Sequence, residues 1–383
     1  MKGVMDYMGT IKEKGKHKIR GWYRLNQILK RDAVFNLIIG QKSNGKTYSV
    51  LEYVLKNYLK NGEKAFYIRR WQDDLLPKNI GTLFKKGELE KMLEETEWDF
   101  VDYQSNRFYL ATRDEKGKII REPEPFMYCG SLNAAQHLSG TRFDSDHITT
   151  IFFDEFLTRS YYLLNEFMIF QHLISDIVRQ NGIAKIFMVG NTVDWSAPYF
   201  REMYLQGVEH MEIGELRVYD HGQGTTVAIE YADGKGLKLE SNKYFAGFDN
   251  PAMRMITHGE WEIPCYPHLP EEYHKHTNKC NCFIKFGNRM MHGDMFVYMG
   301  QPAVYFHEKT SEIKLQKGKD LVMGEDIFEF FPQIETNLLH PTTRMGQVIL
   351  SCLQNQRVFY QDNFCGEYVN NYLKWCHQQQ LIK

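Results

Sequence analysis

Gly40-Gln41-Lys42-Ser43-Asn44-Gly45-Lys46-Thr47 fits G-x-x-x-x-G-K-[ST], the pattern of a phosphate-binding P-loop. Phe35-Asn36-Leu37-Ile38-Ile39 before it reads as a buried strand. Tyr48-Ser49-Val50-Leu51-Glu52-Tyr53-Val54-Leu55 after it reads as a helix. This strand–loop–helix order is the context the motif needs. Backbone N–H groups of Gly40 to Tyr48 would face phosphate oxygens at a helix N-terminus, where the helix dipole favours anions. Lys46 would reach the β- and γ-phosphates of ATP, and the Thr47 hydroxyl would ligate Mg²⁺.

Downstream, Thr149-Thr150-Ile151-Phe152-Phe153-Asp154-Glu155 is an apolar run ending in two carboxylates, the form of a Walker B strand. Asp154 is the candidate metal carboxylate, and Glu155 the candidate that orients and polarises the attacking water. A phosphate cradle and a metal-binding acid are complementary halves of a nucleotide site, so each strengthens the reading of the other. A further apolar strand, Ala184 to Val189, runs into Gly190-Asn191-Thr192. In P-loop ATPases with an additional strand between Walker A and Walker B, a polar residue here touches the γ-phosphate or the lytic water. Asn191 is the candidate sensor, and an ordinary asparagine turn is the other reading of the same residue.

The chain has 383 residues, enough for two domains each with its own core. Its formal net charge of −1 provides no global basic field, which argues against passive coating of nucleic acid but not against a local basic stripe. No apolar run approaches a membrane span. The N-terminus lacks the apolar segment of a signal peptide, and seven scattered cysteines fit a reducing cytoplasm. His268, His274, His276, Cys280 and Cys282 form a cluster of metal-competent residues. It lacks the C-x-x-C knuckle of structural zinc, so a solvated loop is the favoured reading.

Lys64 to Arg69-Arg70 reads as a second parallel strand, residues 99–129 as β-hairpins, and Thr225 to Tyr231 as the strand closing the first domain. Strand–helix alternation around a P-loop predicts an α/β fold with a mostly parallel, doubly wound sheet over residues 1–236. A helical linker is expected over 237–262. Short strands and two closing helices predict a smaller α+β domain over 263–383.

The P-loop, the Arg69-Arg70 strand end, Ile151–Glu155 with Phe156, and Val189-Gly190-Asn191 together resemble the phi29-type small-podovirus DNA encapsidation proteins, which are terminase-like packaging ATPases. The resemblance covers roughly residues 30–235. It implies a homo-oligomeric ring, expected as a pentamer, that hydrolyses ATP to thread double-stranded DNA through the portal into a preformed prohead, docked on a packaging RNA. It also implies a C-terminal domain similar to the RNase H-like nuclease of large terminases but vestigial and without cutting activity. Asp294, Glu308, Asp320, Glu325 and Asp326 do not assemble into a readable set of strand-borne acids. The implied location is the host cytoplasm, transiently at the portal vertex, and not the mature virion.

In such rings a cation from the neighbouring subunit completes each site. Arg179 is the first candidate for that finger and Arg142 the second, with Arg159 more readily a surface ion pair. DNA contacts should go to phosphates, because a packaging motor moves any sequence. The candidates are Lys56 and Lys60 on the P-loop helix, and Lys116, Lys118 and Arg121 on the hairpin. The competing readings are a headful terminase with an active nuclease, a helicase or translocase not linked to a capsid, and a nucleotide switch. Glu155 argues against the switch, which has no use for a water-orienting acid.

Overall fold

A computed structural model describes residues 11–14, 21–85, 88–138, 147–159, 162–163, 165–178, 184–195, 197–233, 250–273, 280–286, 289–309, 320–324, 334–335 and 337–378. The chain divides into two compact units, Met1–Glu262 and Ile263–Lys383. Among the described residues no helix is long and apolar enough to cross a membrane.

The first unit contains an eleven-stranded sheet among the described residues. Its strands are β1 (Ile11–Lys14), β2 (Phe35–Gly40), β3 (Lys64–Arg69), β4 (Phe100–Gln104), β5 (Arg107–Arg113), β6 (Ile119–Arg121), β7 (Met127–Ser131), β8 (Ile148–Asp154), β9 (Lys185–Asn191), β10 (Glu215–Asp220) and β11 (Thr226–Tyr231). The order is β1-β10-β11-β2-β9-β8-β3-β7-β5-β4, with β6 paired to β5. The six central strands, β11 to β7, run parallel. Antiparallel strands flank them on both sides. The strand bearing Asn191 thus lies between the P-loop strand and the Walker B strand, as the additional-strand class requires.

Parallel central strands are buried on both faces, so they read as continuous apolar runs. The side-chain period of two then sorts them. Leu37, Ile39, Phe66, Ile68, Ile151 and Phe153 share one core. Ile38, Tyr67, Phe152 and Phe187 join the other, with Val50, Leu51, Val54 and Leu55 from the helix after the P-loop.

The helices of this unit are α1 (Asn26–Leu29), α2 (Lys46–Asn61), α3 (Pro77–Ile80), α4 (Glu88–Lys91), α5 (Ala135–Leu138), α6 (Glu166–Val178), α7 (Pro198–Glu202) and α8 (Pro251–His258). Asn250 caps α8 by accepting from Met253 N–H at 3.0 Å, Pro251 occupies its first turn, and Gly259 ends it at φ 74°. The structure places Asn250–Glu262 in the first unit rather than in a free-standing linker; residues 237–249 lie outside the described residues. Three contacts explain this placement. Gln41 Nε2 donates to Ile256 O at 2.9 Å, Thr192 Oγ1 donates to Gly259 O at 2.7 Å, and Glu262 N donates to Thr192 O at 2.9 Å. A segment bonded both to the P-loop and to the residue after Asn191 belongs to the site's own domain.

The second unit carries a six-stranded sheet among the described residues, ordered β16-β15-β12-β13-β14-β17. Its strands are β12 (Cys280–Phe286), β13 (Arg289–Tyr298), β14 (Gln301–Glu308), β15 (Leu321–Gly324), β16 (Ile334–Glu335) and β17 (Val358–Tyr360). β12, β13 and β14 are an antiparallel meander, while β15 joins β12 in parallel. Helices α9 (Arg344–Gln354) and α10 (Asn363–Gln378) complete it.

Candidate nucleotide-binding site

The P-loop bridges the end of β2 to the start of α2. Gly45 caps α2 at φ 98°, and a Cβ there would come within 3.1 Å of Trp22 Cβ. Tyr23 N–H donates to Asn44 O at 2.9 Å and Ser49 Oγ to Tyr23 O at 2.5 Å, so the segment before α1 braces the loop. Trp22 itself remains 57% exposed beside it.

Lys46 is buried within the loop. Its Nζ donates to Gly40 O at 3.1 Å, Gln41 O at 2.5 Å and Asn44 Oδ1 at 3.1 Å. It also reaches Asn191 Oδ1 at 3.4 Å. The register explains the last contact, because Gly40 and Asn191 are partners across β2 and β9. Burial lowers the Lys46 ammonium to about 7, and Asp154 partly opposes that shift.

Walker B arrives from β8. Thr47 Oγ1 donates to Asp154 Oδ1 at 3.0 Å, and Tyr67 OH donates to Asp154 Oδ2 at 3.1 Å. Burial raises the Asp154 carboxyl above its ordinary value, with Arg69 the main opposing influence. Hydroxyl and carboxylate oxygens are the hard donors that Mg²⁺ takes, so Thr47 and Asp154 fit that ion. Asn44 Nδ2 is a buried amide donor without a hydrogen-bond partner, inside the loop that would wrap a phosphate.

Glu155 leaves the strand at φ 58°, a left-handed conformation uncommon for a non-glycine residue. Its side chain is 59% exposed, and its Oε2 accepts from Arg69 at 2.6 Å. Gly190 lets the Walker B loop approach β9: a Cβ there would sit 2.9 Å from Leu157 Cγ.

Four residues outside the motifs hold this arrangement. Arg69, at the end of β3, spans Glu155 and Asp74, with Asp154 at 3.9 Å. Tyr67 bonds Asp154. Arg70 is buried and pairs with Glu166 through Nε at 2.9 Å and its NH2 group at 2.9 Å. It also donates to Glu155 O at 3.2 Å and Phe156 O at 2.6 Å. Glu166 further accepts from Leu163 N–H at 2.7 Å and Tyr199 OH at 2.6 Å. The Arg69-Arg70 pair was visible at a strand end, but nothing local in the sequence identifies Glu166 or Tyr67 as partners.

The remaining candidates are scattered. Arg179 and Arg142 lie outside the described residues. Arg159 is ion-paired with Glu262. Lys56 is exposed and bonds Glu52 at 2.7 Å, Lys60 is exposed at the end of α2, Lys116 and Lys118 are exposed in the β5–β6 turn, and Arg121 pairs with Asp102 at 2.5 Å. They occupy two separate elements, a helix over the central strands and a hairpin near the sheet edge. Of the cysteine–histidine cluster, His274 and His276 lie outside the described residues. His268 bridges to Tyr360, Cys280 lies against Met295 and Met345, and Cys282 is buried with its thiol on Gly293 O.

A family model described as podovirus DNA encapsidation protein (Gp16) matches residues 18–244. The DNA packaging protein of Bacillus phage phi29 is 23% identical over 186 residues, covering 47% of this chain and 49% of that protein. That of Bacillus phage B103 is 26% identical over 221 residues, covering 56% and 60%. The chain thus spans about half the length of the curated relatives it matches. By structure it is similar to the bacteriophage Phi-29 viral genome packaging motor assembly, with 16% identity, a TM-score of 0.58, and coverage of 93% of this chain and 99% of that one. The Phi-28 gp11 DNA packaging motor gives 14% identity, a TM-score of 0.53, and coverage of 93% and 96%. These two likenesses extend the shared fold across both units.

Proposed function

This chain belongs to the podovirus DNA encapsidation protein family, and we propose that it is an ATP-hydrolysing motor that moves double-stranded viral DNA into a preformed prohead. The observation that carries the reading is the convergence of the start of α2 with two strand ends: Lys46 meets Asn191 of β9, and Thr47 meets Asp154 of Walker B. Lys46 would bind the β- and γ-phosphates, and Asn191 would sense the γ-phosphate through its contact with Lys46. Thr47 and Asp154 would hold Mg²⁺, which when bound neutralises charge on the phosphate oxygens. Glu155 would accept a proton from the attacking water. Arg179, and after it Arg142, are the residues we propose for a cation delivered to the neighbouring subunit's site. The portal, a packaging RNA and a pentameric ring belong to the same proposal, as does phosphate contact through Lys56, Lys60, Lys116, Lys118 and Arg121.

The test is ATP turnover by the purified chain with and without double-stranded DNA, followed by packaging with proheads scored as nuclease-protected DNA. DNA-stimulated turnover and protection are expected, with plasmid left uncut in Mg²⁺ or Mn²⁺. Cleavage that copurifies with the chain would favour the headful terminase instead.

The Lys46 shift makes binding pH-dependent. Phosphate favours the charged ammonium, so binding takes up a proton above pH 7. Affinity for a non-hydrolysable ATP analogue should fall as pH rises above 7, by at most about tenfold per pH unit. Calorimetry in two buffers of different ionisation enthalpy should give different observed heats; identical uncorrected heats in the two buffers would oppose the uptake. The linkage to stability has a definite sign. Between about 7 and 10.5 the folded state holds fewer protons at Lys46 than the unfolded chain, so this residue's cost is full below that window and is relieved as pH rises through it.

A further inference from the structure

We propose that His292, Asp294 and His307, on the C-terminal sheet, form a binding site for one divalent transition-metal ion, with Zn²⁺ the ion their donors suit best. The register of the sheet creates the cluster. His292 stands opposite His307 across β13 and β14, and Asp294 follows His292 by two residues and shares its face. His292 Nε2 lies 3.4 Å from Asp294 Oδ1, and His307 Nε2 lies 3.3 Å from Asp294 Oδ2. One ligand atom from each of the three residues falls within 4.8 Å of the others. Zinc–nitrogen and zinc–oxygen bonds of about 2.0–2.2 Å in a tetrahedron set ligand atoms about 3.3–3.6 Å apart. The two short contacts run to different Asp294 oxygens, so a modest side-chain rotation is what brings one oxygen and both nitrogens to that spacing.

The rings are oriented for this use. His307 Nδ1 lies 3.2 Å from Glu308 O, a carbonyl that can only accept. Nδ1 therefore donates to that carbonyl, and Nε2, which faces the Asp294 carboxylate as a donor, is the nitrogen that would give up its proton to a metal ion. The Nδ1 contact is the backbone support metal-bound histidines commonly have. The His292 ring stacks on Phe283 at 4.8 Å and 13°, which fixes its plane. Its Nε2 also bonds Asn281 Oδ1 at 2.9 Å, a contact the metal would replace; Asn281 Nδ2 is in turn held by Asp320 Oδ1 at 3.1 Å.

The donor set decides the ion. Two imidazoles with one carboxylate favour zinc-like ions, whereas Mg²⁺ takes oxygen ligands. A two-metal nuclease centre needs several carboxylates to bridge its ions, and among the described residues this cluster holds one carboxylate between two imidazoles. The three residues are not members of the His268–Cys282 group singled out by sequence, although Asn281 of that segment bonds His292.

The test is titration of the metal-stripped, full-length chain with Co²⁺, read by visible absorption. One equivalent should give the intense bands of a tetrahedral ion, and Zn²⁺ should displace them. Zn²⁺ should also raise the melting temperature. Lys46→Ala should leave both signals intact, whereas Asp294→Asn and His307→Gln should each abolish them. The metal-free melting temperature of each variant reports its folding. If Asp294→Asn unfolds, His292→Gln and His307→Gln decide the matter. Absence of cobalt bands in the unaltered chain overturns the proposal, as does a signal that survives in every folded ligand variant.

Discussion

Glu155→Gln should retain binding of an ATP analogue while turnover falls by about 10²–10⁴, the usual worth of a positioned general base. The amide keeps the size of the side chain and can still hold a water, but it cannot take up the proton. Three observations motivate the choice. Glu155 follows the Asp154 carboxylate that meets Thr47, its backbone is held at φ 58°, and its carboxylate is more exposed than that of Asp154. The pair with Arg69 does not lock it in place. With the glutamate 59% exposed, such a contact is worth about 1 kcal/mol or less. Glu155 can therefore exchange Arg69 for a water at small cost. Fluorescent-nucleotide titration and phosphate release separate the two effects. Unchanged turnover in Glu155→Gln would remove Glu155 from the catalytic role.

Arg70→Met should destabilise the first unit by about 3–5 kcal/mol, because it leaves Glu166 buried without its cation. For a unit of this size that corresponds to a fall of about 6–20 °C in its melting temperature. The Glu166 side chain has no exposed surface, and Tyr199 OH and Leu163 N–H cannot replace a guanidinium charge. Arg70→Met with Glu166→Leu should recover much of the loss, since an apolar pair removes the uncompensated charge. Its stability and its turnover should then separate. Arg70 also bonds Glu155 O and Phe156 O, so the double variant should melt near the parent yet hydrolyse ATP more slowly. A melting temperature for Arg70→Met within about 2 °C of the parent would show that the ion pair is not structural.

Local chemistry made half of the proposed nucleotide site legible in the sequence. A P-loop needs glycines, a lysine and a hydroxyl at fixed spacing, because the backbone there must turn tightly into a helix. A Walker B strand needs a continuous apolar run, because both of its faces are buried. Those requirements act over a few residues, so Gly40–Thr47, Asp154, Glu155 and the Asn191 strand could be read without coordinates. The parallel centre of the sheet followed from the same alternation of strand and helix.

Tertiary structure decided everything that depends on which strand lies beside which. Asn191 reaches Lys46 because β9 inserts between β2 and β8, and sequence order does not set that insertion. Tyr67 and Arg69 meet the Walker B acids because β3 pairs with β8. Arg70 finds Glu166 only after α6 packs on the sheet. The segment 250–262 read as a linker because its bonds to Gln41 and Thr192 are made by backbone carbonyls and an amide, which leave no side-chain signature. In the second unit, His292, Asp294 and His307 carry no spacing motif. A one-residue slip between β13 and β14 would take His307 out of register with His292, so it is the pairing of the strands that brings the three together.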